Sequence, residues 1–296
     1  MQEIKKKKVL LVGNPNVGKS TVFNILCNKK QKTGNYAGVT VASHSGNYIY
    51  KNEEVEVIDL PGSYSIYPSS EDEAIFSKFL IEEQENYSGV IYILEALSLK
   101  RGLLLFQQIQ DLGIPMILIV NQIDQAERRG INIDIQKFSE VTGIKIISTN
   151  AKEQLGIDEI REAVFNNEFV RTDEISFEIP VEHKDFLEKF AAHKGISNSY
   201  SAWMALSSGV DLGKIEPLET LLNEPDAKSL VPKRLQVQET VRRYQNVDKM
   251  LTDVISKKPQ FKELLTEKLD KILVHKFWGY VVFLMILLII FQSVFF

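Results

Sequence analysis

The segment Gly13-Asn14-Pro15-Asn16-Val17-Gly18-Lys19-Ser20 sets two glycines four residues apart and follows them with Lys-Ser. That is the pattern of a phosphate-binding loop. Its backbone N–H groups and the helix that starts behind it face an anion together. Lys19 would bridge a β- and a γ-phosphate, and the Ser20 hydroxyl would ligate Mg²⁺. Thr21 closes the segment. The loop alone says that a nucleotide binds, but neither which base nor for what purpose.

Further pieces narrow the chemistry. Asp59-Leu60-Pro61-Gly62 follows an apolar strand pattern; there the Asp reaches Mg²⁺ through water and the Gly N–H meets the γ-phosphate. Thr40, in the connection between the first helix and the next strand, can supply a second hydroxyl to Mg²⁺. Asn121-Gln122-Ile123-Asp124 follows the apolar run Met116–Val120. A carboxylate at Asp124 can accept two hydrogen bonds from guanine N1 and N2, which adenine cannot donate, and leaving it unpaired penalises the wrong base. In Ser148-Thr149-Asn150-Ala151 a backbone N–H can serve the guanine carbonyl. The order of these pieces predicts GTP as the substrate.

The elements that must position them are legible. Val9–Val12, His44–Tyr50, Val55–Asp59, Val90–Leu94, Met116–Val120 and Lys145–Ile147 read as strands, with helices such as Leu103–Leu112 and Ile157–Phe165 between them. This alternation predicts an α/β fold, a mixed, mostly parallel sheet covered on both faces. Lys51-Asn52 suits a hairpin turn. The pattern breaks around Arg171 to Pro180, which reads as a linker. Beyond it no strand is evident. Phe186, Leu187 and Phe190 suggest a helix. Val237, Val241, Tyr244, Val247, Leu251 and Val254 step by three or four along one face of another, and Trp203, Leu206, Leu221 and Leu222 suit its core. The last residues, 277–296, carry no charge, with Trp278 and Tyr280 at their start and Lys268, Lys271 and Lys276 before them. They read as a membrane span with everything before it cytoplasmic. The expected organisation is a G domain over 1–169, a small all-α domain over 170–272 and a single transmembrane helix over 273–296.

Composition excludes several classes. The formal net charge of −4 argues against a protein held to nucleic acid by charge. One cysteine, Cys27, allows no internal disulfide, fits a reducing compartment and reads as a small apolar residue behind the first helix. The histidines 44, 183, 193 and 275 are scattered and form no metal-binding spacing.

The chain resembles the ferrous iron transport protein B (FeoB) family of bacteria. The carrying residues are the phosphate loop, Gly34-Asn35-Tyr36-Ala37-Gly38-Val39-Thr40-Val41, Asp59-Leu60-Pro61-Gly62-Ser63-Tyr64-Ser65, Arg243-Tyr244 and Leu269-Asp270-Lys271-Ile272-Leu273. The resemblance implies a Ras-like P-loop GTPase domain in which Gly38, Val39 and Thr40 attend the nucleotide. It implies a helical domain that slows nucleotide dissociation, and the first span of a polytopic Fe²⁺ transporter of the bacterial inner membrane whose further spans are missing here. A homo-oligomer and small cytoplasmic accessory proteins are the partners it implies, with no nucleic acid. The resemblance also implies K⁺ binding at Asn16, where the ion would supply charge in place of an arginine finger. Two departures bear on rate. Gln122 stands where guanine motifs commonly have Lys, so exchange should be faster. Ser63 stands where many small GTPases have Gln, so intrinsic hydrolysis should be slow. Rival expectations are an RNA- or ribosome-associated GTPase, disfavoured by the balanced charge of residues 170–276 and the lack of a Gly-x-x-Gly RNA-binding loop, and a tail-anchored GTPase without a transport role.

Overall fold

The structure is a computed structural model, and it describes residues 7–27, 31–35, 42–68, 70–82, 84–172, 175–194, 199–208, 231–257 and 272–295. The chain divides into two compact units, Met1–Ser256 and Lys257–Phe296.

The first unit is built on a seven-stranded sheet. Its strands are β1 (Lys7–Gly13), β2 (Gln31–Asn35), β3 (Ala42–Tyr50), β4 (Glu53–Asp59), β5 (Gly89–Glu95), β6 (Met116–Asn121) and β8 (Ile146–Thr149). A short β7 (Ile131–Ile133) lies outside that sheet. The order across the sheet is β2-β3-β4-β1-β5-β6-β8. β1, β4, β5, β6 and β8 run parallel, while β3 is antiparallel to both β2 and β4. Strands buried on both faces read as continuous apolar runs, and β6 is buried at every position. The β3–β4 turn places Lys51 and Asn52 at φ 47° and 66°, the left-handed pair that a tight two-residue hairpin requires.

The helices are α1 (Lys19–Leu26), α2 (Glu71–Glu82), α3 (Leu99–Asp111), α4 (Ile123–Arg128), α5 (Ile135–Thr142) and α6 (Ile157–Phe165). Two cores result. One packs α1 and α6 against the sheet through Val22, Phe23, Leu26, Ile160 and Val164. The other packs α3 and α5 against the opposite face and continues into α7 (Val181–Lys194), α8 (Ser199–Ser208) and α9 (Pro232–Val254). The segments that carry the sequence motifs emerge together because parallel strands deliver their C-terminal ends to one edge of the sheet.

Four expectations need correction. The apolar steps of α9 predicted a buried Val237 and Val241, yet these are 62% and 52% exposed. The buried face is instead Leu235, Glu239, Arg243, Val247 and Val254; two charged residues are inside because each finds partners there, as described below. Residues beyond 181 do include a strand, β9 (Ile255–Lys257), which pairs with β7 in a second, two-stranded sheet. The linker 171–180 is partly anchored: the N–H groups of Ser176 and Phe177 donate to Asp111 at 2.6 and 3.1 Å.

The fourth correction concerns the apolar tail. The helix there is α10 (Trp278–Phe295), 18 residues long, and among the described residues no helix is long and apolar enough to cross a membrane. At ~1.5 Å per residue that helix rises about 27 Å. It starts late because residues 274–277 form a turn in which His275 Nδ1 accepts from the N–H groups of Phe277 and Trp278 at 3.2 and 3.3 Å. Leu221, Leu222, Lys268 and Lys271 lie outside the described residues.

Cys27 ends α1 fully buried, and burial pushes its thiol up to about 12 against the opposing pull of Arg161. At neutral pH it is a neutral, unreactive thiol. A thiol reagent at pH 8 is therefore expected to leave native Cys27 unmodified and to label it fully in denaturant; rapid labelling of the folded chain would contradict this packing.

Candidate functional site

β1 ends at Gly13, where an added Cβ would stand 2.6 Å from the Ile93 carbonyl oxygen. The loop then turns through Asn16 at φ 67° and Gly18 at φ 90°. Any side chain at Gly18 would be strained, and its Cβ would meet Asn121 Nδ2 at 2.4 Å. α1 starts at Lys19 with no side-chain cap on its first turn, so those N–H groups face outward from the loop, where an anion binds best. Lys19 Nζ pairs with the Asp59 carboxylate and donates to the Leu60 carbonyl at 2.6 Å. Burial pushes the Asp59 carboxyl above its usual range, and Lys19 and His44 pull it back. Gly62 closes the group: a Cβ there would stand 2.9 Å from Pro15 N. A cavity of about 410 Å³ opens among Asn16, Gly18, Lys19, Ser20, Thr21 and Gly62.

The individual roles differ. Asn14 is buried, donating to the Arg101 carbonyl at 3.4 Å and accepting from Tyr92 Oη at 3.2 Å, so its side chain braces the loop. Val17 and Leu60 are core residues; Leu60 N–H donates to the Leu11 carbonyl at 3.1 Å. Asn16 and Ser20 are exposed toward the loop's outer face. Gly38, Val39 and Thr40 lie outside the described residues.

A second cavity of about 190 Å³ is lined by Gly18, Thr21, Asn121, Gln122, Asp124 and Ala151, among others. Asn121 joins three segments there. Its Nδ2 donates to the Val17 carbonyl at 3.1 Å, and its Oδ1 accepts from Thr149 Oγ1 at 3.0 Å and Ala151 N–H at 3.2 Å. Thus one amide ties the phosphate loop to the end of β6 and to the loop after β8. Asn150 also lines the cavity, while Ser148 lies on β8 and does not. Gln122 takes φ 63°, and its Oε1 accepts from Gln125 Nε2 at 2.7 Å. Asp124 sits in the first turn of α4 and pairs with Arg128 at 3.3 Å. Arg128 also borders this cavity. Sequence reasoning missed it, although the i,i+4 spacing from Asp124 was a signal.

Comparison with known proteins agrees with this geometry. The family model for ferrous iron transport protein B matches residues 7–164. The chain belongs to the ferrous iron transport protein B family. The Fe(2+) transporter FeoB of Leptospira biflexa is 32% identical, over 99% of this chain and 44% of its own length. That of Legionella pneumophila strain Paris is 30% identical, over 95% and 38%. The chain thus spans about two fifths of the relatives' length. Among solved structures, the cytosolic domain of L. pneumophila FeoB has a TM-score of 0.72 at 31% identity and covers 85% of this chain, all of its own being covered. A GDP form of the T. maritima FeoB cytosolic domain has a TM-score of 0.75 at 25% identity, covering 86% of this chain and 99% of its own. The P-loop GTPase fold of the FeoB G domain is therefore the fold of this sheet and its loops.

In this FeoB-family chain the segment after Gly62 runs into a buried polar network. Ser63 is fully buried, and its Oγ donates to the Ser65 carbonyl at 2.7 Å. Gln108 of α3 accepts from Ser65 Oγ and the Ile66 N–H through Oε1, at 3.1 and 2.9 Å, and donates to Glu239 through Nε2 at 3.2 Å. Glu239 also accepts from Tyr67 Oη, from Tyr200 Oη at 2.7 Å, from Trp203 Nε1 at 3.0 Å and from Arg243 Nε at 2.6 Å. Arg243 reaches Asp111 at 2.7 Å. Burial alone would favour a neutral Arg243; Tyr200, Glu239 and Asp111 instead hold its charged form above the usual range. Glu239→Ala removes the acceptor on which these donors converge and leaves Arg243 with Asp111 as its remaining carboxylate. It is expected to cost about 3–5 kcal/mol, read by urea denaturation, with a smaller loss in Glu239→Gln. A loss below about 1 kcal/mol in the alanine variant would show the network to be energetically idle.

Proposed function

We propose that this chain binds and slowly hydrolyses GTP as the cytoplasmic switch of a Fe²⁺ transporter in the bacterial inner membrane. The carrying observation is Asn121: one side chain fixes the phosphate loop, the guanine motif and the loop of Ala151 around adjoining cavities. Only a nucleotide with a base at one end and phosphates at the other suits that arrangement. Asp124 is then the guanine acceptor, and Asn150 and Ala151 lie on the wall that a guanine carbonyl would face.

Lys19, held beside Asp59 and Leu60, turns to the β- and γ-phosphates. The Ser20 hydroxyl and Asp59 carboxylate are hard oxygen donors and suit Mg²⁺, with Thr40 as the further ligand. Mg²⁺ would neutralise charge on the phosphates. The Asn16 side chain is exposed at the loop's left-handed turn, where its amide oxygen suits K⁺. Ser63 has its hydroxyl engaged inside the fold, which supports a low intrinsic rate. Residues 1–169 act as the G domain, and the helical part beyond 170 slows nucleotide loss. The network from Gln108 to Glu239 supports that division of labour, because it joins the segment after Gly62 to α8 and α9. Partner subunits, whether a second copy or small accessory proteins, would read the same segments.

Two measurements test this reading. Asp124→Asn should weaken GTP and GDP binding about 100-fold or more, since two hydrogen bonds to a charged acceptor are lost, while ATP stays unbound by either form. Unchanged GTP affinity would remove Asp124 from the base site. Turnover should be faster in K⁺ than in Na⁺ buffer, and Asn16→Ala should abolish the difference; equal rates in the two salts would exclude the K⁺ role.

A further inference from the structure

On either side of Tyr64 the segment after Gly62 turns inward: Ser63 and Ile66 are fully buried, Tyr67 is 9% exposed and Ser65 is half-buried. Tyr64 is the exception. It is 40% exposed, although a large aromatic ring gains by burial. Its ring lies under the Arg101 guanidinium, whose central carbon is 5.6 Å from the ring centroid. Arg101 is itself exposed, and among the described residues no carboxylate pairs with it.

The base of Arg101 is fixed. Its carbonyl accepts from Asn14 of the phosphate loop, and Tyr92 Oη donates to the next carbonyl, that of Gly102, at 2.7 Å. Gly102 is pressed against β5, since a Cβ there would meet Leu94 Cδ2 at 2.1 Å. The first turn of α3 is therefore tied to the loop. A cavity of about 110 Å³ separates them, with Pro15 and Asn16 on one wall and Tyr64 and Arg101 on another. Gly62 already packs on Pro15, and Ser65 is held by Gln108. Between these anchors Tyr64 is held by the Arg101 contact.

We propose that Arg101 is a positioning residue for GTP hydrolysis: through its guanidinium on the Tyr64 ring it holds Gly62–Tyr64 against the phosphate-binding loop. This rests on the hydrolytic reading above. The contact is a cation over an aromatic face beside a loop built for anions. It fixes the stretch whose Gly62 N–H must meet the γ-phosphate, and it does so without touching the base. Its loss should slow the chemical step and leave nucleotide affinity alone.

The test is steady-state GTP hydrolysis of the full chain in Mg²⁺ and K⁺, with GDP affinity read separately by a fluorescent GDP. Arg101→Ala and Tyr64→Ala should each lower kcat about fivefold, the scale of one such contact, with KM and GDP affinity within about twofold. The double variant should be no slower than the slower single variant, because both remove one interaction. Arg101→Lys, which keeps a cation over the ring, should restore most of the rate. An unchanged kcat in Arg101→Ala, multiplied losses in the double variant, or a parallel fall in GDP affinity would each overturn the proposal and leave the hydrolytic reading intact. A wild-type chain that binds GDP but never turns over GTP would overturn both.

Discussion

The constraint on which much else depends is the carboxyl group of Glu239. It lies on α9 with no exposure to water, where a polar group must find donors or cost several kcal/mol, on the order of a lost hydrogen bond to a charge. Its donors come from four places in the chain: Tyr67 after the Asp59-Leu60-Pro61-Gly62 turn, Gln108 on α3, Tyr200 and Trp203 on α8, and Arg243 one turn along α9. Satisfying one side chain thus fixes the packing of the helical part on the G domain. It also explains why the buried stripe of α9 holds Glu239 and Arg243 among the apolar Leu235, Val247 and Val254, where only apolar residues were expected.

The same network gives the segment after Gly62 a defined path. Gln108 accepts from Ser65 and Ile66 on one side and donates to Glu239 on the other, so a shift in that segment must disturb the amide or pull on the carboxylate. At its other end the segment meets the phosphate loop at Pro15 and the Arg101 guanidinium at Tyr64. A stretch held at both ends by polar contacts has few arrangements open to it, which is what a two-state switch requires. The base site is organised differently. There Asn121 joins its three loops by direct hydrogen bonds to Val17, Thr149 and Ala151.

The nucleotide motifs could be read along the chain because each is contiguous and sits at the end of an apolar strand. Short spacing carries their chemistry: glycines for close backbone approach, Lys19 and Ser20 at the helix start, Asp124 one turn after Asn121. The central parallel strands were legible for the same reason, since strands buried on both faces read as apolar runs. β2, β7 and β9 were not: β7 and β9 are three residues long, and Gln31–Asn35 has no apolar run.

What the sequence by itself determined is the P-loop GTPase fold and the motifs that point to a guanine nucleotide, all written in local spacing. Tertiary structure alone decided which face of α9 is buried, that Ser176 and Phe177 dock on Asp111 and that Arg101 lies over Tyr64. Each depends on a partner far away in the chain. A charged side chain reads as solvated until the donors or acceptors that make its burial favourable are brought to it, and only the folded chain brings them.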